Sequence, residues 1–320
     1  IKPEKDPAYW KRGTKLNFIK SPKKNSKIGM SLIVHKPGLQ STIQDAGREG
    51  FRKYGIPAAG PMDLAAAQLA QLLCNNHHDQ SLIELTLHGA IFEFEKSAVI
   101  ALTGGGAIAL LNDAPLPYNK SVVVKAGSIL KFQASLYGCR TYLAVQGGFA
   151  IPQEMGSTAT YLPGKLGGIH GRALQAGDQL RFNREQPNER SLPEVEVEWF
   201  NPALSSNQVC IRFTEGPEWS WFSKEEQNLF QQTKWTIHPQ SNRMAYQLEG
   251  DALNMTQKKE LVSTAVMPGL IQVTPAGIPF ILMADAQTIG GYPRIARIDS
   301  TDRNILAQCR PGYLLNFQKL

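Results

Sequence analysis

Apolar residues in this chain fall in short runs broken by turn formers, and few stretches carry the three-to-four spacing of a helix. The runs are 32–34, 99–102, 122–124, 141–145, 195–199, 209–213, 270–273 and 280–283, rich in Val, Ile, Leu and aromatics. Such a pattern predicts a mainly β protein, because a parallel βαβ sheet would need a helical run after nearly every strand. Helices are expected in three places. Asp63 opens an apolar-faced stretch that ends at Cys74, Ser223-Lys-Glu-Glu226 is a capping box leading to about Gln232, and a short helix runs from Ser300 to Cys309, before Pro311.

Three segments repeat one another: Val124 to Phe132, Leu174 to Phe182 and Cys309 to Phe317. Each has an apolar residue, Gly three on, Leu six on and Phe eight on. Glycine suits a turn, and residues two apart face one side of a strand. A recurring turn-plus-strand unit and coincidence both fit the spacing. The polar, proline-bearing stretch 183–193 is the best boundary, dividing the chain into β-rich halves at 30–190 and 191–320.

The net charge of +7 belongs to one segment. Residues 1–29 hold nine Lys or Arg against Glu4 and Asp6, leaving 25 basic and 25 acidic residues elsewhere. This segment reads as a disordered basic leader. The balanced remainder gives no basic stripe for nucleic acid. No run approaches the roughly 18 apolar residues of a membrane span, and no signal peptide is seen. Cys74, Cys139, Cys210 and Cys309 form no CxxC pair, which fits reduced, mostly buried thiols in the cytoplasm.

Candidate chemistry lies in polar loops. The stretch Asp285-Ala-Gln-Thr-Ile-Gly-Gly-Tyr-Pro293 follows the apolar run 279–284, so a buried strand ends in a carboxylate, an amide and a glycine pair. Gln44, Asp45 and Arg48 cluster after the first strand. Arg48 can grip a carboxylate in bidentate fashion or pair with Asp45, and Asp63 can serve chemistry or simply cap its helix. Ser157, Thr158 and Thr160 with Gly167-Gly168 form a hydroxyl-rich loop suited to anions or to turn capping. Neither Thr103-Gly-Gly-Gly106 nor 156–166 is a phosphate loop: no Lys-Ser/Thr follows the first, and Leu166 stands where the second would need a hydroxyl. The six histidines show no metal-ligand spacing, no GxSxG elbow appears, and the Met-Lys-Met signature of biotin attachment is absent.

Several of these segments share a pattern. They are Lys36 to Asp45, Ala-Gly-Arg48, Gly55 to Asp63, Ile100 to Gly104, Tyr142 to Gly148, Gly156-Ser-Thr158, Ser241-Asn-Arg-Met-Ala-Tyr246, Gly269 to Pro275 and the Asp285 loop. Together they resemble the KipA family, also described as biotin-dependent carboxyltransferase or allophanate hydrolase subunit 2, over roughly residues 30–320. The resemblance implies two cyclophilin-like β-barrel subdomains facing a shared groove. It also implies a subunit of an ATP-dependent 5-oxoprolinase that hydrolyses a cyclic amide to glutamate with a PxpA-like A subunit and a KipI-like (PxpB-like) B subunit. ATP and Mg²⁺ would act in the assembled complex, and no biotin would be attached to this chain. A regulator that binds a KipI-like kinase inhibitor, and a carboxyltransferase acting on a urea-like substrate, are the alternatives.

Under that resemblance Asp285 is the expected base or proton relay, at a groove between the barrels, with Arg243 and Arg48 neutralising negative charge. Gln44, Asp45, Asp63, Ser157, Thr158, Tyr246, Gln272, Gln287, Gly290, Gly291 and Tyr292 are the expected substrate contacts. Asn242, Ala245 and Gln247 stand where the family has Asp, Gly and Arg, and Gly106 stands near a common Asp. At those four positions the chain departs from the family pattern.

Overall fold

The computed structural model describes residues 31–184, 186–188, 192–193, 205–255 and 261–320. The basic leader and the run 195–199 lie outside the described residues, as do residues 185 and 189–191 of the 183–193 boundary.

In the first half, two antiparallel sheets face each other across one core. One contains Leu32–Pro37, Ala90–Phe94, Ser128–Ala134 and Ala107–Leu111, with Gln179–Leu180 and Ala114–Pro115 at its edges. The other orders Gln40–Gln44, Leu82–Thr86, Arg140–Val145, Ala98–Gly104 and Ser121–Val124. Alternating residues of both sheets, among them Leu32, Phe92, Ile100, Leu130 and Leu143, fill the space between them. Helix α1, Leu64–Leu73, lies on the outer face of the second sheet, packing its alanines against Ala101, Tyr142 and Ala144. Asp63 caps it by accepting from Ala66 N at 3.0 Å.

The second half closes into a barrel. Its strands run in the order Gln208–Glu215, Arg294–Ile298, Leu270–Val273, Pro279–Leu282, Ala245–Glu249, Trp235–Ile237 and Leu314–Lys319, and the last lies parallel to the first. Closure removes exposed sheet edges. Phe213, Phe230, Trp235 and Phe317 pack together inside it, and Phe230, from helix α2, Lys224–Gln232, stacks on Phe317 and meets Phe213 edge-on. Helix α3, Asp302–Gln308, packs on the barrel and reaches across to the first half. No helix among the described residues is long and apolar enough to cross a membrane.

The threefold repeat proves to be one local structure used three times. Gly127, Gly177 and Gly312 all have φ between 81° and 90°, and the residue after each donates its N–H to the carbonyl three residues back, at 3.1 Å every time. Each glycine N–H also bonds a neighbouring strand, and the Leu and Phe that follow (Leu130/Phe132, Leu180/Phe182, Leu315/Phe317) point inward. A left-handed third turn position explains the glycine, and strand alternation explains the Leu and Phe.

Candidate active site

Two charged residues inside apolar strands set the geometry between the halves. Glu84 interrupts Leu82–Thr86 and Arg140 begins Arg140–Val145, and both are fully enclosed. A buried charge must find a counter-charge and hydrogen bonds. Across the junction, Arg243 supplies them to Glu84 through Nη1. The same guanidinium holds Asp285 with two parallel bonds, Nε to Oδ2 at 2.9 Å and Nη2 to Oδ1 at 2.8 Å, and also donates from Nη2 to Gly60 O. Tyr142 OH donates to Glu84 Oε2 at 2.8 Å and accepts from Asp63 N at 2.7 Å, while Met62 N donates to Glu84 Oε2 at 2.8 Å. Arg140 Nη1 donates to Tyr246 OH at 2.7 Å and to Ala307 O. Gln308 closes the network: its Oε1 accepts from Cys139 N and Arg140 N, and its Nε2 donates to Asp63 Oδ2 at 2.8 Å.

Electrostatics follow from this enclosure. Burial works against ionising Glu84, but Arg243 and Arg140 outweigh it and hold the carboxyl below its ordinary value. For Asp285, burial wins: its carboxyl is raised, with Arg243 limiting the rise. Burial likewise pushes Asp63 up to about 6 from 3.8, despite its bonds to Gln308 and Ala66.

A second cluster adjoins the first. Asp45 accepts from Ser157 Oγ at 2.6 Å, from Thr158 Oγ1 at 3.0 Å, from Thr158 N and from Gly47 N. Arg48 is enclosed beside it. Its Nη2 donates to Ala159 O at 2.6 Å and its Nε to Glu154 O at 3.4 Å, while Nη1 is buried with no partner among the described residues. Gln44 Oε1 is buried and unpartnered in the same way. Arg48 and Tyr161 both lie close enough to Asp285 to interact electrostatically with it.

The Asp285 loop has a further, outer part. Gln272 Nε2 donates to Tyr292 O at 2.9 Å, and Gln287 Nε2 to Gln272 Oε1 at 3.3 Å. Gly290 pairs with Thr264, and a Cβ on Gly290 would meet Gln272 Nε2 at 2.9 Å. Gly291 lies against Leu261 O, and Tyr292 is exposed. In front of the buried network, a cleft of about 400 Å³ separates the halves, walled by Pro61 and Met62 on one side, Met283 and Ala284 on the other, and Arg303 and Asn304 of α3.

The family model for the carboxyltransferase domain, subdomains A and B, matches residues 54–319. The chain belongs to that family. It is 38% identical over 286 residues to the C subunit of 5-oxoprolinase from Escherichia coli K12, covering 89% of this chain and 90% of that protein. It is also 38% identical to the C subunit of the Haemophilus influenzae 5-oxoprolinase, over 87% and 88% of the two chains. The crystal structure of the Kluyveromyces lactis urea amidolyase superposes with a TM-score of 0.83 at 29% identity, over 93% of this chain and 19% of that one.

Within this carboxyltransferase-family fold, the sequence-selected residues fall in three adjoining sets, not one pocket. Asp285 and Arg243 sit in the buried network, with Asp285 1% exposed and so behind the cleft and not in its wall. Gln44, Asp45, Arg48, Ser157 and Thr158 form the second cluster, and Arg48 bonds the loop carbonyls with no ion pair to Asp45. Gln272, Gln287, Gly290, Gly291 and Tyr292 form the outer loop. Asp63 caps its helix, and Tyr246 is enclosed by Arg140 and Cys309 O. Glu84, Arg140, Tyr142 and Gln308 were not selected from the sequence. The signal for the first two was present: a lone charge in an otherwise apolar strand demands a buried partner.

Asp63 makes the network sensitive to pH. A carboxyl raised in the folded state favours folding when protonated, so its contribution is complete below about pH 4 and is lost as pH rises through about 6. A rise from 3.8 to about 6 corresponds to about 3 kcal/mol. Asn is a good helix cap and does not titrate. Relative to wild type, Asp63→Asn should therefore gain about 3 kcal/mol between pH 4 and pH 7, read by urea denaturation at both values. A constant gap between the two proteins would show that folding leaves the proton affinity of Asp63 unchanged.

Proposed function

We propose that the chain is the C subunit of an ATP-dependent 5-oxoprolinase, hydrolysing 5-oxo-L-proline to L-glutamate together with A and B subunits. The observation that carries this reading is the 38% identity, over nine-tenths of both chains, with a protein named as the C subunit of 5-oxoprolinase. The chemistry of the junction is compatible with it. Opening a lactam requires a base to take a proton from the attacking water and positive charge to stabilise the oxygen that becomes anionic. Asp285 is the base in this reading. Its carboxylate has acceptor positions beyond the two that Arg243 occupies, and burial makes it more basic. Arg48 Nη1, buried and unpartnered near Asp285, is the donor for the developing anion. Arg243 has four of its five N–H groups engaged by protein, so its part is to position Asp285, not to grip substrate.

ATP and Mg²⁺ belong, in this reading, to the partner chains. The glycine loops of this chain are close-packed: a Cβ on Gly106 would lie 2.5 Å from Cys139 O, and one on Gly167 would lie 2.1 Å from Ala159 O. Neither loop has the open ring of amides that cradles phosphates. The deciding experiment is reconstitution. Purified chain mixed with A and B subunits, ATP and Mg²⁺ should release glutamate from 5-oxoproline, and the chain alone should not. Robust release by the chain alone would refute the shared-site reading, and tight association with B without turnover would favour a regulator.

A further inference from the structure

Among the described residues, Arg303 is the one charged side chain in the wall of the cleft, and no acceptor bonds its guanidinium. Its aliphatic stem packs over Gly269. Asp299, the nearest carboxylate to influence it, is taken by Thr301 N at 3.0 Å, by Thr301 Oγ1 and by Arg212 at 3.7 Å. Partial burial and the neighbouring Arg297 both make its positive charge harder to hold, and Asp299 offsets them only in part. A half-buried guanidinium that faces another arginine, has no protein acceptor and opens into the cleft is placed to take an anion there. Beside it, Asn304 uses its Oδ1 to accept from Ala65 N at 3.4 Å, so its amide N–H groups remain available to the cleft. The facing walls at Met62, Leu64, Pro268 and Met283 are apolar.

We propose that Arg303, with Asn304, recognises a carboxylate on a small, partly apolar ring compound, so that the cleft selects an anionic substrate over a neutral one. The identity of the ring rests on the 5-oxoprolinase reading. Recognition of the carboxylate rests only on the cleft. Ala284 lines the same space and Asp285 follows it directly, so a ring anchored at Arg303 lies toward the buried base. Arg303 is thereby a specificity-determining residue: it distinguishes a lactam that bears a carboxylate from a neutral amide of similar size.

The test titrates the full chain, without partners, with L-5-oxoproline and with 2-pyrrolidinone, the same lactam lacking the carboxylate, following ligand-observed NMR. Wild type should prefer 5-oxoproline. Arg303→Met, which keeps the stem over Gly269, should weaken that binding by about 10- to 100-fold, the usual worth of a charge-assisted bond, and leave 2-pyrrolidinone unchanged. Arg303→Lys should recover most of the loss. Equal binding of the two ligands by wild type, failure of wild type to bind 5-oxoproline, or undiminished 5-oxoproline binding by the Met variant would each overturn the proposal. Arg303-dependent binding in a chain whose reconstituted complex shows no turnover would remove the enzyme reading and leave carboxylate recognition standing.

Discussion

Asp285→Asn should lower turnover of the reconstituted complex by about 10²-fold or more while leaving KM close to wild type, the scale expected when a general base is lost. Position and environment both favour Asp285 over the other acids nearby. Glu84 is held ionised between two arginines and bonded by Met62 N and Tyr142 OH, which makes it a weak base. Asp45 is filled by hydroxyl and amide donors. Asp63 faces helix α1 and Gln308. Asp285 is left with free lone pairs, a raised proton affinity and a backbone pinned by its own N–H to Arg243 O at 2.9 Å. Asn keeps the shape but cannot take the proton, and it also weakens the grip of Arg243. Melting temperature and association with the B subunit must therefore be read beside kcat. Undiminished turnover would exclude Asp285 as the base, and a loss that tracks melting alone would reduce it to a support for Arg243.

Strand alternation made much of the fold readable, because apolar runs bounded by turn formers map onto the observed strands at Leu32–Pro37, Ala98–Gly104, Arg140–Val145 and Leu270–Val273. The three helices were legible from their caps and flanking residues. Strands such as Leu82–Thr86 and Arg294–Ile298 were harder, since charged residues break their apolar pattern, and those charges are paired in three dimensions with residues far along the chain. The same limit applies to the site. Asp285 stands out as a carboxylate at a strand end, but its bond to Arg243 spans 42 residues and the bond from Arg243 to Glu84 spans 159. No local pattern encodes such a meeting. The composition of the Asp285 loop likewise gives no hint that its glycine pair lies against Gln272 and the Thr264 strand while its carboxylate turns inward.

Removing the centre of that network should have the largest effect on stability. Arg243→Met deletes four hydrogen bonds at once and leaves two carboxylates enclosed without their shared cation. Glu84 retains Arg140 at 3.9 Å, Tyr142 OH and Met62 N, whereas Asp285 loses its only ion pair among the described residues. Breaking a buried pair in this way costs about 3–5 kcal/mol, mostly from the stranded charge and not from the lost attraction. Two consequences separate this account from a simple packing loss. Adding Asp285→Asn to Arg243→Met should restore about 1–3 kcal/mol, because the stranded charge is gone, so the two substitutions will not be additive. The single variant should also gain stability relative to wild type as the pH is lowered. An unpaired, buried Asp285 has its proton affinity raised further, and the stability linked to its protonated form is present at low pH and lost as the pH rises. Urea denaturation of the three proteins at pH 5 and pH 8 measures both effects. If Arg243→Met costs less than about 1 kcal/mol at pH 8, the network is well hydrated and apolar contacts alone hold the two halves together.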